Sequence, residues 1–404
     1  MSPNGMGREA FWNATRAGTS GIKFVPALDR PEIPAKIAGH IADFDATQFM
    51  DERELQHVSR VVPLVLAASG EALADAGIDC ERLTLEERRK IAVVLGSGGG
   101  SLEFVEKQFA LHFSGHDKRC SVYTIPSATL GTIVSEISMR FGLRGFSHLL
   151  STGCASSTDA LGYAKQSIQA GVIDTVVVGG ADAPISPLIV QAFTLMKILT
   201  TAWNAAPGRG SRPFSGDRDG FVVGEGAWMF VLEDYEKARA RGAKIYGEIS
   251  GYGSTCEAYH RVRLDESGEE PARAMEMAMA EAGVEPAQIG YINLHGTATV
   301  LNDRIETRAV KRAFGSHAYR LAGSALKSLI GHPQGACGSA SVAATLLAMR
   351  DDCLPPTINL DVPDPECDLD YIPHTARKLQ IEHALCNCIA FGSKNSALVL
   401  SRVS

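Results

Sequence analysis

The sequence lacks several features that would assign it to a common class of protein. None of its apolar runs approaches the roughly 18 residues that can span a membrane as a helix. Its first residues, MSPNGMGREAFW, do not show the basic-then-apolar order of a secretion signal. The net charge of −7 gives no overall positive charge to attract nucleic acid or an anionic membrane. We therefore expect a cytoplasmic protein without nucleic-acid or membrane partners.

Metal and nucleotide motifs are also missing. The nine cysteines are odd in number and scattered, with no Cys-x-x-Cys pair, so neither a disulfide framework nor a zinc site is indicated. No histidine pair has a metal-ligand spacing such as His-x-x-x-His, and we expect no metal. The segment GSGGGS breaks the dinucleotide-binding pattern Gly-x-Gly-x-x-Gly at Ser101, and the serine-hydrolase pattern Gly-x-Ser-x-Gly is absent.

What the sequence does contain is an alternation of helical and strand patterns separated by glycine turns. EALADAGI and the strand IAVVLGSG (91–98) are echoed by AMAEAGV and the strand IGYINLHG (289–296). Each pair predicts a helix, a glycine cap, a loop and a buried strand. We expect an α/β protein made of two similar halves, residues 1–245 and 246–404, packed together because no Pro-rich or Ser-rich linker separates them.

The segment STGCASSTDALGYAKQSIQAG surrounds Cys154 with small residues and continues directly into a helical pattern. A cysteine at a helix N-terminus lies in partial positive charge, which predicts a lowered thiol pKa and a reactive thiolate. The small neighbours would allow a substrate to approach. The alternative is an unreactive cysteine buried in a small-residue turn.

Two further glycine-rich segments supply imidazoles and an amine. In NLHGTATVLND, His295 follows an apolar strand, and in SALKSLIGHPQGACGSAS, Lys327 and His332 lie five residues apart. Sites in α/β sheets gather at such strand ends, although a lone strand-end histidine is more often structural. A thiolate can hold an acyl group as a thioester, and two imidazoles can donate hydrogen bonds to a thioester carbonyl as enolate charge develops.

These segments, together with IAFGSKNSALVL, RPFSGDRDGFVVGEGA and DPECDLDYIP, resemble the β-ketoacyl-acyl carrier protein synthases (KAS I/II type) of the thiolase superfamily. The stretch ADAPISPLIVQAFTLMKILTT is most similar to ketosynthase subunits of type II polyketide systems. The resemblance covers almost the whole chain. It implies a thiolase-like αβαβα five-layer sandwich that forms a homodimer, or a heterodimer with a chain-length-factor-like subunit.

The resemblance also implies the activity: decarboxylative Claisen condensation of an acyl group on Cys154 with malonyl-acyl carrier protein. Such a step extends a fatty acyl, polyketide or polyene chain by two carbons, and we favour the polyketide or polyene pathways. His295 and His332 would stabilise the enolate and Lys327 would support the electrostatics. No cofactor is implied beyond the 4'-phosphopantetheine that arrives on the acyl carrier protein.

Further roles are carried over by resemblance. The backbone N–H groups of Cys154 and Phe391 would form an oxyanion hole, and Phe391 would act as a gate. Thr297 and Thr299 would face the pantetheine arm. Phe193 would form a wall of the acyl channel, with simple core packing as the alternative.

The carrier-docking surface is usually basic in the family. The corresponding segment, DERELQHVSR, predicts a helix that offers Arg53, His57 and Arg60 among acidic residues. We expect these three side chains to contact the acyl carrier protein.

Three further departures from the family pattern generate expectations. The chain begins at MSPNG, a point at which the family has already formed its first strand. We expect that strand to be central in the N-terminal sheet. Either the start of the chain is therefore misplaced, or the sheet is rearranged. Ser341 stands where the family has a glutamate near Lys327, so Asp303 or Glu306 should approach the lysine within about 4 Å, or the lysine should be neutral. The altered terminal turn, AFGSKN (390–395), should change the flexibility of the gate.

Two alternatives remain. A non-decarboxylating thiolase would use a second reactive cysteine near the C-terminus, and Cys386 and Cys388 lie in that region. A non-catalytic chain-length-factor-like subunit would lack the nucleophile, which Cys154 argues against.

Overall fold

The computed structural model describes residues 1–403. The α-helices, numbered in chain order, are α1 (Arg8–Arg16), α2 (Glu52–Leu55), α3 (Val61–Asp75), α4 (Leu85–Arg89), α5 (Leu102–Phe113), α6 (Thr124–Ala128), α7 (Thr132–Phe141), α8 (Ser156–Gln169), α9 (Pro187–Leu195), α10 (Tyr235–Ala240), α11 (Glu269–Ala282), α12 (Val300–Phe314), α13 (Lys327–Ile330) and α14 (Cys337–Asp351). The strands are β1 (Ile22–Phe24), β2 (Ile37–Gly39), β3 (Ile91–Gly96), β4 (Ser147–Leu150), β5 (Thr175–Asp182), β6 (Val223–Gly224), β7 (Gly226–Glu233), β8 (Glu248–Cys256), β9 (Ile289–Asn293), β10 (Ala322–Ser324), β11 (Cys353–Leu354), β12 (Arg377–Lys378), β13 (His383–Ala390) and β14 (Lys394–Ser401).

The four strands of the first main sheet follow the same order as the first four strands of the second, which has one strand more. In the first, the order is β4-β3-β5-β7, parallel except for the antiparallel pair β5–β7. In the second, the order is β10-β9-β13-β14-β8, parallel up to β13 and antiparallel beyond it. The β-branched run of β5 is buried, as expected for a strand covered on both faces. The division of the chain at residue 245 stays a prediction.

Helices separate and cover the two sheets. Between the sheets, α8 packs on β3 and β5, and α14 packs on β13. Outside them, α3 and α7 cover the first sheet, while α11 packs on β8 and β14 of the second and α12 packs beside α11. The glycine at position 162 brings α8 close to the second sheet, because a Cβ there would lie 2.5 Å from the Tyr252 ring. The predicted five-layer αβαβα sandwich is therefore confirmed.

The expectation that the family's first strand would be central is wrong. In the second sheet, the fifth strand, β8, forms the edge and lies beside β14. In the first sheet, the corresponding edge is formed by β7. There, Met1 exchanges both backbone hydrogen bonds with Ala227, at 2.6 and 2.9 Å. A cavity of about 420 Å³, lined in part by Phe11, Trp228 and Tyr246, follows this edge. Burial lowers the pKa of the Met1 amine to about 6.

Within residues 1–403, no helix combines the length and the apolar composition needed to cross a membrane.

Candidate active site

Cys154 lies on a single turn of 3-10 helix, Gly153–Ala155, that joins β4 to α8. Gly153 has a φ of 67°, which favours glycine, and a Cβ there would lie 3.3 Å from the carbonyl oxygen of Phe391. The hydroxyl of Ser156 accepts a hydrogen bond from Thr152 N–H at 2.9 Å, which fixes the turn. The small residues noted in the sequence thus let the chain turn sharply beside the C-terminal end of β13.

The structure brings the four predicted side chains together from both halves. Cys154 Sγ lies 3.1 Å from His332 Nε2, and the rings of His332 and His295 are 5.4 Å apart, nearly perpendicular. Lys327 Nζ donates to the carbonyl oxygen of His295 at 2.6 Å and lies 3.3 Å from its Nδ1. All four residues are buried and follow the C-terminal ends of β4, β9 and β10.

The thiol does not have the lowered pKa that its position at a helix N-terminus predicted. Burial raises the pKa of Cys154 to about 12, while Lys327 and the backbone N–H of Phe391 act weakly in the opposite direction. The expectation was wrong because desolvation of a fully buried thiolate outweighs the partial charge of a helix end. The nearest acceptor for the proton of this thiol is His332 Nε2, at 3.1 Å from Cys154 Sγ.

Both imidazoles are neutral at neutral pH. Burial lowers the pKa of His295 to about 3, helped by the positive charge of Lys327, and burial likewise lowers the pKa of His332. With Lys327 Nζ as the donor in this contact, Nδ1 of His295 is the acceptor and its proton lies on Nε2. Within the described residues, Nδ1 of His332 has no hydrogen-bond partner, which leaves that ring free to carry its proton on either nitrogen.

Of the two outcomes expected for Lys327, the ion pair with an acid is wrong, and the neutral lysine stays a prediction. In the described part of the chain no carboxylate oxygen lies within 4.0 Å of Lys327 Nζ. Glu306 instead accepts from the backbone N–H groups of His295 and Gly296, at 2.7 and 2.8 Å. Asp303 accepts from the backbone N–H groups of Phe214 and Thr297 at 2.8 and 3.1 Å.

These two acids shape the loop that carries His295, a role that sequence reasoning missed. Burial raises the pKa of Glu306 to about 7. The available signal was the LNDRIE pattern, which places the acids in the first two turns of α12, where they can satisfy backbone donors of the preceding loop. Ser341 is buried on α14, and its carbonyl oxygen accepts from Asn293 at 3.4 Å.

Phe391 lies in the tight turn between β13 and β14, half-buried, with its backbone N–H directed at the Cys154 thiol. The altered terminal motif anchors this turn. Ser393 Oγ accepts from the backbone N–H groups of Tyr259 and His260, both at 3.2 Å, and donates to the carbonyl oxygen of His260 at 3.0 Å. The serine therefore ties the turn to the neighbouring loop.

The predicted substrate-contacting residues lie at two sides of the site. The hydroxyls of Thr297 and Thr299 are 2.9 Å apart in the loop before α12. The ring of Phe193, on α9, is 5.4 Å from that of Phe221, which in turn is 5.3 Å from His332. Phe193 is thus separated from the site by one aromatic ring.

The structure forms only a short first part of the predicted carrier-docking helix, which includes Arg53. Helix α2 ends at Leu55 and α3 begins at Val61. Both Nε and Nη2 of Arg60 donate to the buried carboxylate of Glu225 at 2.9 Å, and His57 Nδ1 lies 2.7 Å from Ser121 Oγ. Among the three predicted residues, Arg53 is the exposed one. The guanidinium of Arg60 is therefore engaged in the fold, and the docking role of the three residues stays a prediction.

Two cysteines lie beneath the nucleophile: Cys388, which the sequence offered as a second reactive thiol, and Cys337, which it did not. Cys337 Sγ and Cys388 Sγ donate to the carbonyl oxygen of Cys154 at 3.2 and 3.1 Å. Cys386, by contrast, contacts the hydroxyl of Thr345 at 3.4 Å. Nothing in the local spacing links Cys337 to Cys388, because they are 51 residues apart.

The chain matches known protein families along most of its length. Residues 1–238 match the model of the β-ketoacyl synthase N-terminal domain, and residues 246–361 match that of the C-terminal domain. The chain is 38% identical to 3-oxoacyl-[acyl-carrier-protein] synthase 2 of Synechocystis, over 100% of this chain and 96% of the relative. It is 40% identical to the granaticin polyketide putative β-ketoacyl synthase 1 of Streptomyces violaceoruber, over 99% and 96%.

A solved structure gives the same assignment. A type II polyketide synthase acyl carrier protein in complex with its ketosynthase, bound to the hexaketide, matches with a TM-score of 0.91 and 30% identity, covering 100% of this chain and 97% of that one. A thiolase-like sandwich with a buried cysteine between two neutral histidines defines an acyltransferase that works through a thiol. Within that class, the chain belongs to the β-ketoacyl synthase family.

Proposed function

We propose that this enzyme condenses an acyl group held on Cys154 with malonyl-acyl carrier protein, releasing carbon dioxide and lengthening the chain by two carbons. The observation that carries the proposal is the contact of 3.1 Å between Cys154 Sγ and His332 Nε2, beside a second neutral imidazole, His295, held by Lys327. The family match supports it.

In the first half-reaction, the sulfur of Cys154 attacks the thioester carbonyl of the incoming acyl group while its proton passes to His332 Nε2. The backbone N–H groups of Cys154 and Phe391 stabilise the oxyanion. The carbon–sulfur bond to the pantetheine then breaks, and the departing thiolate takes the proton from His332. The enzyme is left with a thioester on Cys154 and two neutral histidines.

In the second half-reaction, the Nε2–H group of His295 donates to the thioester carbonyl of the malonyl group, and so does that of His332 once its proton has moved from Nδ1 to Nε2. These donors stabilise the enolate that forms when the carbon–carbon bond to the carboxylate breaks and carbon dioxide leaves. The enolate carbon attacks the acyl carbonyl on Cys154, the carbon–sulfur bond breaks, and the departing thiolate of Cys154 takes up a proton from solvent, which restores the resting thiol. Lys327 contributes by keeping the proton of His295 on Nε2, since it occupies Nδ1 as a donor.

The substrates would arrive on the phosphopantetheine arm of an acyl carrier protein, with Thr297 and Thr299 facing that arm. The solved complex of a type II polyketide carrier protein with its ketosynthase supports this partner, and no other cofactor is proposed. The relatives include both 3-oxoacyl-carrier-protein synthases and polyketide synthases, and we favour a polyketide or polyene pathway on the sequence of the stretch 181–201. The free thiols fit a cytoplasmic location.

We further propose that the protein is a dimer, either of two copies or with a chain-length-factor-like subunit. The helices α5, α6 and α9 are neighbours and carry large exposed apolar side chains. Phe113, Val122, Ile125 and Leu195 are 82, 83, 77 and 74% exposed, which is costly for a monomer in water. Light scattering of the purified chain should give twice the monomer mass for a homodimer.

A thiolase is the second candidate, because Cys388 Sγ lies 3.5 Å from His295 Nδ1, where a second thiol could act. The intact mass after incubation with acyl-carrier protein tests both. The condensing enzyme should gain one acyl group on Cys154, Cys154→Ala should gain none, and Cys386→Ala should behave as the native protein.

Measurement of carbon dioxide release separates the steps. His295→Ala should still become acylated but should release carbon dioxide from malonyl-carrier protein about 10²–10³-fold more slowly. Normal decarboxylation by His295→Ala would overturn the role of His295. No carbon dioxide release by the native enzyme, together with a thiolytic activity that is lost on removing Cys388 alone, would favour the thiolase instead.

A further inference from the structure

A group of three potential metal ligands lies behind the nucleophile. The ligand atoms of His295, Cys337 and Cys388 all lie within 4.8 Å of one another, and all three side chains are buried. The two sulfurs are 3.6 Å apart, and Cys388 Sγ is 3.5 Å from His295 Nδ1. One imidazole and two thiols are ligands preferred by zinc and other soft divalent ions.

The spacing fits a tetrahedral ion. With zinc–sulfur bonds of about 2.3 Å and zinc–nitrogen bonds of about 2.0 Å, tetrahedral angles place two sulfurs about 3.8 Å apart and a sulfur and a nitrogen about 3.5 Å apart. The separations of 3.6 and 3.5 Å for the first two pairs need adjustments of only a few tenths of an ångström, and the third pair, Cys337 Sγ and the His295 ring, lies within 4.8 Å. The carbonyl oxygen of Cys154, which the two sulfurs contact at 3.2 and 3.1 Å, is available as a fourth ligand.

We propose that His295, Cys337 and Cys388 form a binding site for a thiophilic divalent cation such as Zn²⁺. Binding releases the two thiol protons, so the ion and its two thiolates together add no net charge to the buried site. That neutrality is required because Lys327 lies 3.3 Å from His295 Nδ1 and has no carboxylate partner among the described residues. The ion takes the Nδ1 lone pair, and Lys327 keeps its bond to the carbonyl oxygen of His295.

A second trio near the thiol makes the proposal specific. Cys154, His295 and His332 also lie within 4.8 Å of one another, but this group is formed by the residues that act on the substrate. The two trios share His295 and differ in their cysteines. The proposed site is therefore the one that depends on Cys337 and Cys388 and is independent of Cys154, and it does not rest on the proposed condensation activity.

Cobalt titration of the full, reduced, metal-free chain tests the site. One Co²⁺ per chain should bind, giving a thiolate-to-cobalt charge-transfer band, and Zn²⁺ should displace it. Cys337→Ser and Cys388→Ser should each lose the band and weaken zinc binding by more than about 100-fold, beyond the 10–100-fold typical of changes around the ligands. Zinc should also raise the melting temperature of the native chain but not of these variants.

Two controls define the contradicting results. Cys386→Ser removes a thiol from the same strand that faces Thr345, and Cys154→Ala removes the nucleophile; both should keep the band. The proposal would be overturned by any of three results. These are loss of the band in Cys154→Ala, persistence of the band in Cys337→Ser and Cys388→Ser, or no binding of cobalt to the native chain. If a serine variant fails to fold, the native chain can be alkylated with and without zinc and analysed by mass spectrometry. Zinc should then protect Cys337 and Cys388 from the alkylating reagent, and a lack of protection would overturn the proposal.

Discussion

Lys327 Nζ contacts His295 twice, at its carbonyl oxygen (2.6 Å) and at its Nδ1 (3.3 Å). This double contact replaces the carboxylate partner that the sequence suggested for the lysine. It fixes the backbone and the tautomer of the catalytic histidine at once. Lys327 is therefore best described as a positioning residue for His295.

Replacing this lysine should impair decarboxylation more than acylation. In Lys327→Met, His295 can carry its proton on Nδ1, and the donor aimed at the malonyl carbonyl is lost, which should slow carbon dioxide release by about 10²–10³-fold. Acylation of Cys154, followed by intact mass, should persist. The matched control is Lys165→Met, a buried lysine that pairs with Glu281 away from the site; it should lower the melting temperature only. Equal loss of both half-reactions in Lys327→Met would contradict the positioning role.

The pH dependence of alkylation reports the raised pKa of Cys154. Because burial holds this pKa near 12, the thiolate fraction and the iodoacetamide rate should rise about tenfold per pH unit from pH 7 to 10 without a plateau. His332→Ala should slow the reaction, since it removes the adjacent proton acceptor. The measurement is mass-resolved labelling of Cys154, with the more exposed Cys256 as the internal reference. A plateau below pH 8 would show that the thiol pKa is lowered.

Replacing Phe193 tests whether its ring forms a wall of the acyl channel. If its ring is a channel wall, Phe193→Ala should admit longer acyl chains, which a comparison of carrier-bound chain lengths would reveal. If the ring only packs against Phe221, the variant should keep its chain-length preference and lose roughly 3–5 kcal/mol of stability or less, since Phe193 is only partly buried. Phe221→Leu is the companion variant, because that ring lies between Phe193 and His332.

Glu306 should make stability depend on pH. Burial raises its folded-state pKa from 4.5 to about 7, so the folded protein holds an extra proton between these values. The contribution to unfolding free energy is fully present below pH 4.5 and is lost as the pH rises to 7, by a few kcal/mol at most. In Glu306→Gln, the unfolding free energy measured with urea should depend less on pH between 4.5 and 7. If the slope of unfolding free energy against pH is the same in this variant, groups other than Glu306 cause the pH dependence.

Arg53 and Arg60 should separate carrier binding from folding. Arg60→Ala leaves the buried carboxylate of Glu225 without its partner and should cost about 1–3 kcal/mol of stability. Arg53→Glu changes an exposed charge and should leave the melting temperature within error while weakening binding to an acidic carrier protein, most clearly at low salt. If Arg60→Ala keeps its stability and loses carrier binding, the docking role first expected for Arg60 would be restored.

The sequence alone was sufficient for the features that local patterns encode. The small residues around Cys154 and the glycine turns after the apolar strands predicted a sharp strand-to-helix turn and polar side chains at strand ends. Alternating periodicities predicted two similar α/β halves, because strand and helix repeats are read within about ten residues. The resemblance of several separate segments then indicated the five-layer fold and the family.

Other features were decided only by tertiary packing. The direction of the thiol pKa depends on how completely two halves of the chain enclose Cys154, which no local pattern records. Asp303 and Glu306 were available to Lys327 by sequence, but the loop before α12 offers backbone donors that are closer to them. Cys388 meets His295 across 93 residues only because β13 lies beside β9. Long-range contacts of this kind are set by strand order and burial, and a single sequence carries no direct signal for either.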